Sequence, residues 1–260
     1  MIEPRLFVDA ALSANAMVAL ERAQAHYLTG VLRRKAGDGA ILFNGRDGAW
    51  RAVLVAVGKS HTELRVEQQV AAQTFSPDLW LLFAPLKHGR IDFLVEKATE
   101  LGVSRLIPVV TAHTQSERVN IERLRARAIE AAEQTERFDV PEIVTPASLG
   151  RVLDRWPAER ILLVCDEAGG VPIADALAAL RAEAVGAGRV ALLVGPEGGL
   201  AEADRKVLAL QPARRTIALG PRILRAETAA LAALALIQAM IGDGASPPRP
   251  FLGQALTRRD

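Results

Sequence analysis

Two hydrophobic rhythms divide the chain. Up to about residue 70 the chain reads in short strand-like runs: Ile41 and Phe43 lie two apart in an apolar run that ends at Asn44, Trp50 to Val57 is a β-type run, and Leu64 and Val66 alternate with polar neighbours, the period of a half-buried strand. Turn-forming residues separate these runs at Asn44-Gly45-Arg46-Asp47-Gly48 and at Gly58-Lys59. An amphipathic stretch around Tyr27, Leu28, Val31 and Leu32 comes first and ends in Arg33-Arg34-Lys35 and Gly37. Several short strands and one helix in so few residues predict a small β-barrel. The stretch 73–78, with Ser76-Pro77, reads as a linker.

From Leu79 onward strands alternate with helices, which predicts an α/β domain. Leu79 to Ala84 is an apolar run; Ile91, Leu94, Val95, Ala98 and Leu101 then recur at helical spacing and stop at Gly102. Arg105 to Val110 is a strand whose Pro108 puts part of it at an edge or bulge. Asn120 is placed to cap a helix with Ile121, Leu124, Ala128, Ala131 and Ala132 on its apolar side. Strands follow at Ile161–Cys165, Val190–Val194 and Thr216–Leu219, and Pro172 suits the first position of the helix after Cys165. The last helix, Ala226 to Ile241, is apolar almost all round and stops at Gly242. That pattern predicts burial on every side, in its own core, in an oligomer interface, or in both.

Composition narrows the function only a little. Half of the 260 residues are hydrophobic and 24% are charged, the profile of a soluble globular protein. Glu3, Arg5 and Asp9 interrupt the first twelve residues, so no signal peptide is expected, and the Ala229–Ile241 stretch is too short to span a bilayer. A single cysteine, Cys165, fits a reducing, cytoplasmic compartment, and four scattered histidines offer no metal-ligand spacing. The net charge of +2 permits nucleic-acid binding without requiring it.

The chemistry points to two glycine-containing turns that follow consecutive buried strands: Gly195-Pro196-Glu197-Gly198-Gly199 and Leu219-Gly220-Pro221-Arg222-Ile223-Leu224-Arg225. In an open α/β sheet ligands bind beyond the carboxyl ends of the strands, and glycine lets the backbone itself approach them. No G-x-G-x-x-G follows the Leu79–Ala84 strand, where the chain reads Pro85-Leu86-Lys87-His88-Gly89, and there is no P-loop. Dinucleotide and nucleoside-triphosphate folds are therefore disfavoured.

The segments EKATELGV (96–103), EAAEQ (130–134), LVGPEGGL (193–200) and LGPRILRAETAALAAL (219–234), with HYLTGVLRRKAGDGAILFNGRDG (26–48), resemble the RsmE family. These are bacterial methyltransferases that make N3-methyluridine near the 3′ end of 16S ribosomal RNA. The resemblance implies a PUA-like RNA-binding β-barrel over 1–73, a SPOUT α/β methyltransferase domain with a C-terminal trefoil knot over 74–245, and a flexible tail over 246–260. It also implies a homodimer, the 16S rRNA of the small ribosomal subunit as partner, S-adenosylmethionine as cofactor, and no metal or membrane. Val194, Gly195, Glu197, Gly198, Leu219, Gly220, Ile223, Leu224, Thr228 and Ala229 would form the cofactor pocket, with Cys165 and Asp166 completing its wall; Cys165 reads equally as a small buried hydrophobe. Arg225 would stabilise a developing uridine anion, and Glu227 or Glu197 would take the proton. Arg5, Arg33, Arg34, Lys87, Arg90 and Arg222 are the expected phosphate contacts. The chain departs from the family string at Thr135-Glu136-Arg137, where no role carries over except to Arg137. A non-catalytic RNA-binding or assembly factor of the same fold, or a methyltransferase for another rRNA or tRNA base, remains the alternative.

Overall fold

A computed structural model describes residues 3–58, 61–86, 88–114 and 118–247. The chain forms two compact units. The first runs to Phe75 and also takes in Ala132–Asp139, a segment that the linear reading puts in the second domain.

In the first unit the strands β1 (Arg5–Phe7), β2 (Met17–Ala19), β3 (Gly39–Phe43), β4 (Ala49–Val57) and β5 (Thr62–Ala71) form one sheet in the order β1-β3-β4-β5-β2. All pairs are antiparallel except β1 with β3. The alternation predicted from sequence points Ala52, Leu54, Leu64 and Val66 into a core shared with Leu6, Val8, Leu28 and Leu42. The turn between β3 and β4 is locked by buried Asn44, whose Oδ1 accepts the amides of Arg46 and Asp47 at 3.0 and 2.9 Å. The amphipathic stretch becomes a short helix, α1 (Arg22–His26), running into one π-helical turn at Tyr27–Val31.

The second unit is a three-layer sandwich around a parallel sheet of β6 (Trp80–Phe83), β7 (Arg105–Val110), β8 (Glu142–Ile143), β9 (Ala147–Ser148), β10 (Ile161–Cys165), β11 (Val171–Pro172), β12 (Val190–Val194) and β13 (Arg214–Ala218). The order is β11-β13-β10-β12-β6-β7-β8, with β9 pairing further along β7. Successive strand residues alternate between two cores. Leu81, Phe83, Leu163, Leu192 and Val194 face one side, and Leu82, Leu162, Val164, Ala191 and Leu193 face the other. That is why these strands read as continuous apolar runs. The first side is covered by α2 (His88–Glu100), α5 (Ile173–Ala182) and α7 (Ala226–Ile241); α4 (Leu149–Leu153) and α6 (Glu202–Ala209) bring Leu149, Leu153 and Leu208 to the second. The helix α3 (Ile121–Gln134) is capped by Asn120, whose Oδ1 accepts the Arg123 amide at 3.0 Å, and buries Leu124 and Ala128.

Three details differ from the sequence expectations. Pro108 sits inside β7, opposite the gap between β8, which pairs at Arg105 and Leu106, and β9, which pairs at Val109 and Val110. A missing amide costs least where the neighbouring strand is interrupted. Pro172 ends β11 and serves as the N-cap of α5 rather than its first residue. The helix α7 buries one stripe, including Ala230, Ala233, Leu234 and Ile237, while Thr228, Ala235, Leu236 and Ala239 are exposed in the single chain.

Candidate active site

The register of the sheet brings four strand ends to one level: Phe83 pairs with Val194, Val194 with Cys165, and Cys165 with Ile217. From β6 the chain moves outward to β7 and the β8 edge, then returns to build β10, β12 and β13 on the other side. Loops leaving a sheet at such a reversal diverge and leave a crevice at the carboxyl ends. Both glycine turns leave from this edge.

The first turn, Gly195–Gly199, is closed by the Gly199 amide donating to the Pro196 carbonyl at 2.9 Å, with Gly199 at φ +71°. It is tightly packed: a Cβ on Gly195 would stand 3.2 Å from Leu200, and one on Gly198 3.2 Å from His113. The second turn differs. Gly220 has φ +96°, and a Cβ there would meet nothing within 4 Å. Leu219 and Leu224 pack partly on the core, Ile223 is 92% exposed, and Arg225 is the extended N-cap of α7. In the first turns of α7, Ala229 is buried, Glu227 half-buried and Thr228 exposed.

Three charged groups organise these turns. Arg90, in the first turn of α2, reaches Glu197 at 3.1 Å and Glu227 at 3.7 Å, so one guanidinium bridges the first turn and the start of α7. Its expected role was a phosphate grip; the structure gives it two carboxylates instead. Glu227 Oε2 is buried and has no hydrogen-bond donor among the described residues, an atom that calls for a partner. At the end of β10, Arg205 grips Asp166 through two bonds of 2.8 and 2.7 Å and also meets Glu167 at 3.1 Å. The Arg205 bonds hold the Asp166 carboxyl below its ordinary range, helped by the Ala168 amide at 3.0 Å. Asp166 is therefore held rigidly at the end of β10. Burial pushes the neighbouring Cys165 thiol up to about 12, so it is no nucleophile.

The Asp166 pair gives a pH signature. A depressed carboxyl contributes stability above its unfolded value near 3.8, and that contribution is lost as pH falls through the still lower folded value. Arg205→Gln should lower the melting temperature by roughly 2–6 °C at neutral pH and by progressively less as pH falls below the ordinary carboxyl value near 3.8. Thermal scans across that range check it; a deficit independent of pH would refute the coupling.

The remaining expected residues lie apart. In the first unit Arg5 is held between the rings of Phe43 and Phe138, 4.9 and 5.4 Å from their centroids, and donates to the Arg137 carbonyl at 2.7 Å. Arg137 is itself buried against Asp139 at 2.9 Å. Both are packing residues there. Arg33, at φ +54°, is exposed, and Arg34 is half-buried with its amide bonded to the Leu28 carbonyl. Arg222 is exposed on the second turn, while Lys87 and residues 248–260 of the expected tail lie outside the described residues. Sequence reading missed His113 and Asp204, which fasten the loop after β7 to the first turn and to α6. The available signal was position, since that loop leaves the same sheet edge. No three His, Cys, Asp or Glu residues cluster to hold a metal among the described residues.

Comparison with known proteins identifies the family. A model described as an RNA methyltransferase domain matches residues 74–238, and one described as an RNA methyltransferase PUA domain matches residues 20–67. Ribosomal RNA small subunit methyltransferase E of Rickettsia conorii is 32% identical over 90% of this chain and 94% of its own. The chain belongs to the ribosomal RNA small subunit methyltransferase E family. The family member from Synechocystis is likewise 32% identical, over 91% of this chain and 78% of its own length. Among solved structures, that of the Neisseria gonorrhoeae family member bound to S-adenosyl methionine superposes with a TM-score of 0.82 at 28% identity, covering 93% of this chain and 99% of that one. A methyltransferase of Legionella pneumophila in complex with the same cofactor gives 0.81 at 26% identity, covering 94% and 100%. The second unit is thus a SPOUT-type RNA methyltransferase domain and the first carries its PUA-like partner. No described helix is long and apolar enough to cross a membrane.

Proposed function

We propose that this chain transfers the methyl group of S-adenosylmethionine to N3 of a uridine near the 3′ end of 16S rRNA in the small ribosomal subunit. The observation that carries the reading is the pair of pinched turns at one sheet edge, one of them with Gly220 open toward a space where backbone groups can meet a ligand. Cofactor-bound relatives of the same fold support it.

The residues present suit that cofactor. Backbone groups of Val194, Gly195, Gly198, Leu219, Gly220, Ile223 and Leu224 would hold it, with Cys165, Asp166, Thr228 and Ala229 as walls. The buried, unpartnered oxygen of Glu227 offers an acceptor to a cationic or N–H-bearing group. When bound, S-adenosylmethionine supplies an electrophilic methyl group on a sulfonium. The protein's own contribution is to orient the base and stabilise its anion. Positioning alone contributes roughly 7–11 kcal/mol in favourable cases. Arg225, exposed beside the second turn, is the cation for the developing charge. Arg90 keeps Glu197 and Glu227 in ion pairs and so fixes the geometry of both turns. The family's C-terminal trefoil knot belongs to this reading. So do a homodimer that covers the exposed stripe of α7, phosphate contacts from Arg33, Arg34, Lys87 and Arg222, and a cytoplasmic location.

Mass spectrometry of nucleosides from 16S rRNA of a deletion strain tests the proposal. Loss of N3-methyluridine, restored by the intact gene, is expected; an unchanged level refutes it. Calorimetry separates the assembly-factor alternative, which predicts no S-adenosylmethionine binding.

A further inference from the structure

N3 methylation requires a proton to leave the base, and the two carboxylates nearest the turns have other roles in this reading: Glu227 offers its unpartnered oxygen to the bound cofactor, and Glu197 is hydrogen-bonded to Arg90. Both carboxylates share Arg90, which holds them in place on the two turns. A side chain that no motif marks stands at the same turn. His113 Nδ1 lies 2.9 Å from the Gly198 carbonyl oxygen and 3.2 Å from that of Gly199. Carbonyl oxygens only accept, so Nδ1 carries the hydrogen, and the lone pair of the neutral ring sits on Nε2. Nε2 has no hydrogen-bond partner among the described residues, and the side chain is exposed.

The ring is held in place by its own loop. The Thr111 amide donates to Thr114 Oγ1 at 2.8 Å, closing the turn after β7. The Ala112 amide then donates to both oxygens of buried Asp204, at 3.2 and 3.3 Å. Asp204 also accepts the Ala201 amide at 3.0 Å, which ties this loop to the start of α6. One histidine is thus oriented by a stapled loop beneath it and by two carbonyls beside it. The arrangement fixes a tautomer and presents a basic nitrogen next to the Gly198 turn. The charged groups around this turn are Glu197, paired with Arg90, Glu167 beside Gly199, paired with Arg205, and Asp204 on α6.

We propose that His113 is the proton acceptor of the reaction, resting on the N3-methylation reading above. The N3–H bond breaks and its electron pair forms the new N–C bond; the C–S pair stays on sulfur, which becomes a neutral thioether. The proton passes to Nε2 and from there to water. The carbonyls of Gly198 and Gly199, facing Nδ1–H, stabilise the transient imidazolium.

Two substitutions separate proton transfer from clamping. His113→Asn places an amide N–H near the position of Nδ1 and keeps the donor to the turn without a base; His113→Ala removes both. S-adenosylmethionine affinity is read by calorimetry, and single-turnover methylation of small-subunit rRNA by nucleoside mass spectrometry. His113→Asn should bind the cofactor like wild type and react roughly 10²–10⁴-fold more slowly, and added imidazole should partly restore the rate of His113→Ala. Wild-type turnover in His113→Asn, or no rescue of His113→Ala, overturns the assignment. Nitrogen-15 NMR of the protein without cofactor should show His113 protonated at Nδ1, and an Nε2–H tautomer would also overturn it. A wild-type product other than N3-methyluridine, visible in the same digest, removes the underlying reading independently of the variant rates.

Discussion

Arg225→Ala is expected to slow methylation of rRNA by roughly 10²–10³-fold while S-adenosylmethionine affinity stays within a few-fold of wild type. The residue caps α7 through its backbone, with its carbonyl accepting the Ala229 amide at 2.8 Å, and alanine retains that bond. The guanidinium is exposed and enters no hydrogen bond or ion pair among the described residues. This is unusual in a site where Arg90 and Arg205 each grip two carboxylates. An arginine that supports the pocket would be paired; one that waits for charge to develop on a substrate would not. Removing it should therefore cost the transition state and leave the ground-state pocket standing, a fall in kcat without a matching rise in cofactor Kd. Loss of cofactor binding together with rate would make Arg225 a pocket residue instead, and an unchanged rate would remove it from the chemistry.

How much of this was legible in the sequence depended on the length of each signal. The strands β10 and β12 and the helix α7 have the boundaries that the apolar runs predict, because each fills a two-sided core or a long stripe. β1 and β2 are three residues long, and β8, β9 and β11 are two, too short for any periodicity to declare them. The recruitment of Ala132–Asp139 into the first unit has no local signature either. It rests on Arg137, Phe138 and Glu133 meeting Arg5 and Phe7, partners more than a hundred positions away. The same reason explains the arginines. Sequence shows that Arg5 and Arg90 are charged but not what they face, and both find partners within the chain. The glycine turns were visible because backbone conformation is written locally, in Gly-Pro-Glu-Gly-Gly and Leu-Gly-Pro. His113 was not, because a lone histidine after a strand carries no pattern until the fold brings Gly198 to it.

Gly220→Ala is expected to raise the S-adenosylmethionine Kd by roughly 10²-fold, about 2.7 kcal/mol, with little loss of fold. Two effects of the added methyl separate cleanly at this position. The first is backbone strain: at φ +96° an L-residue is disfavoured by roughly 1–2 kcal/mol, which the chain can carry because no neighbour is struck within 4 Å. The second acts only on a ligand, since the methyl projects into the open space beside the second turn and holds an incoming molecule off the backbone groups. Gly37 provides the control, because it too has a positive φ, +94°, with nothing within 4 Å of its would-be Cβ, and it belongs to the first unit. Gly37→Ala should shift the melting temperature about as much as Gly220→Ala and leave cofactor binding alone. Calorimetry and thermal scans on the two variants decide the matter: equal affinities would show that the second turn does not line the cofactor slot, whatever the strain costs the fold.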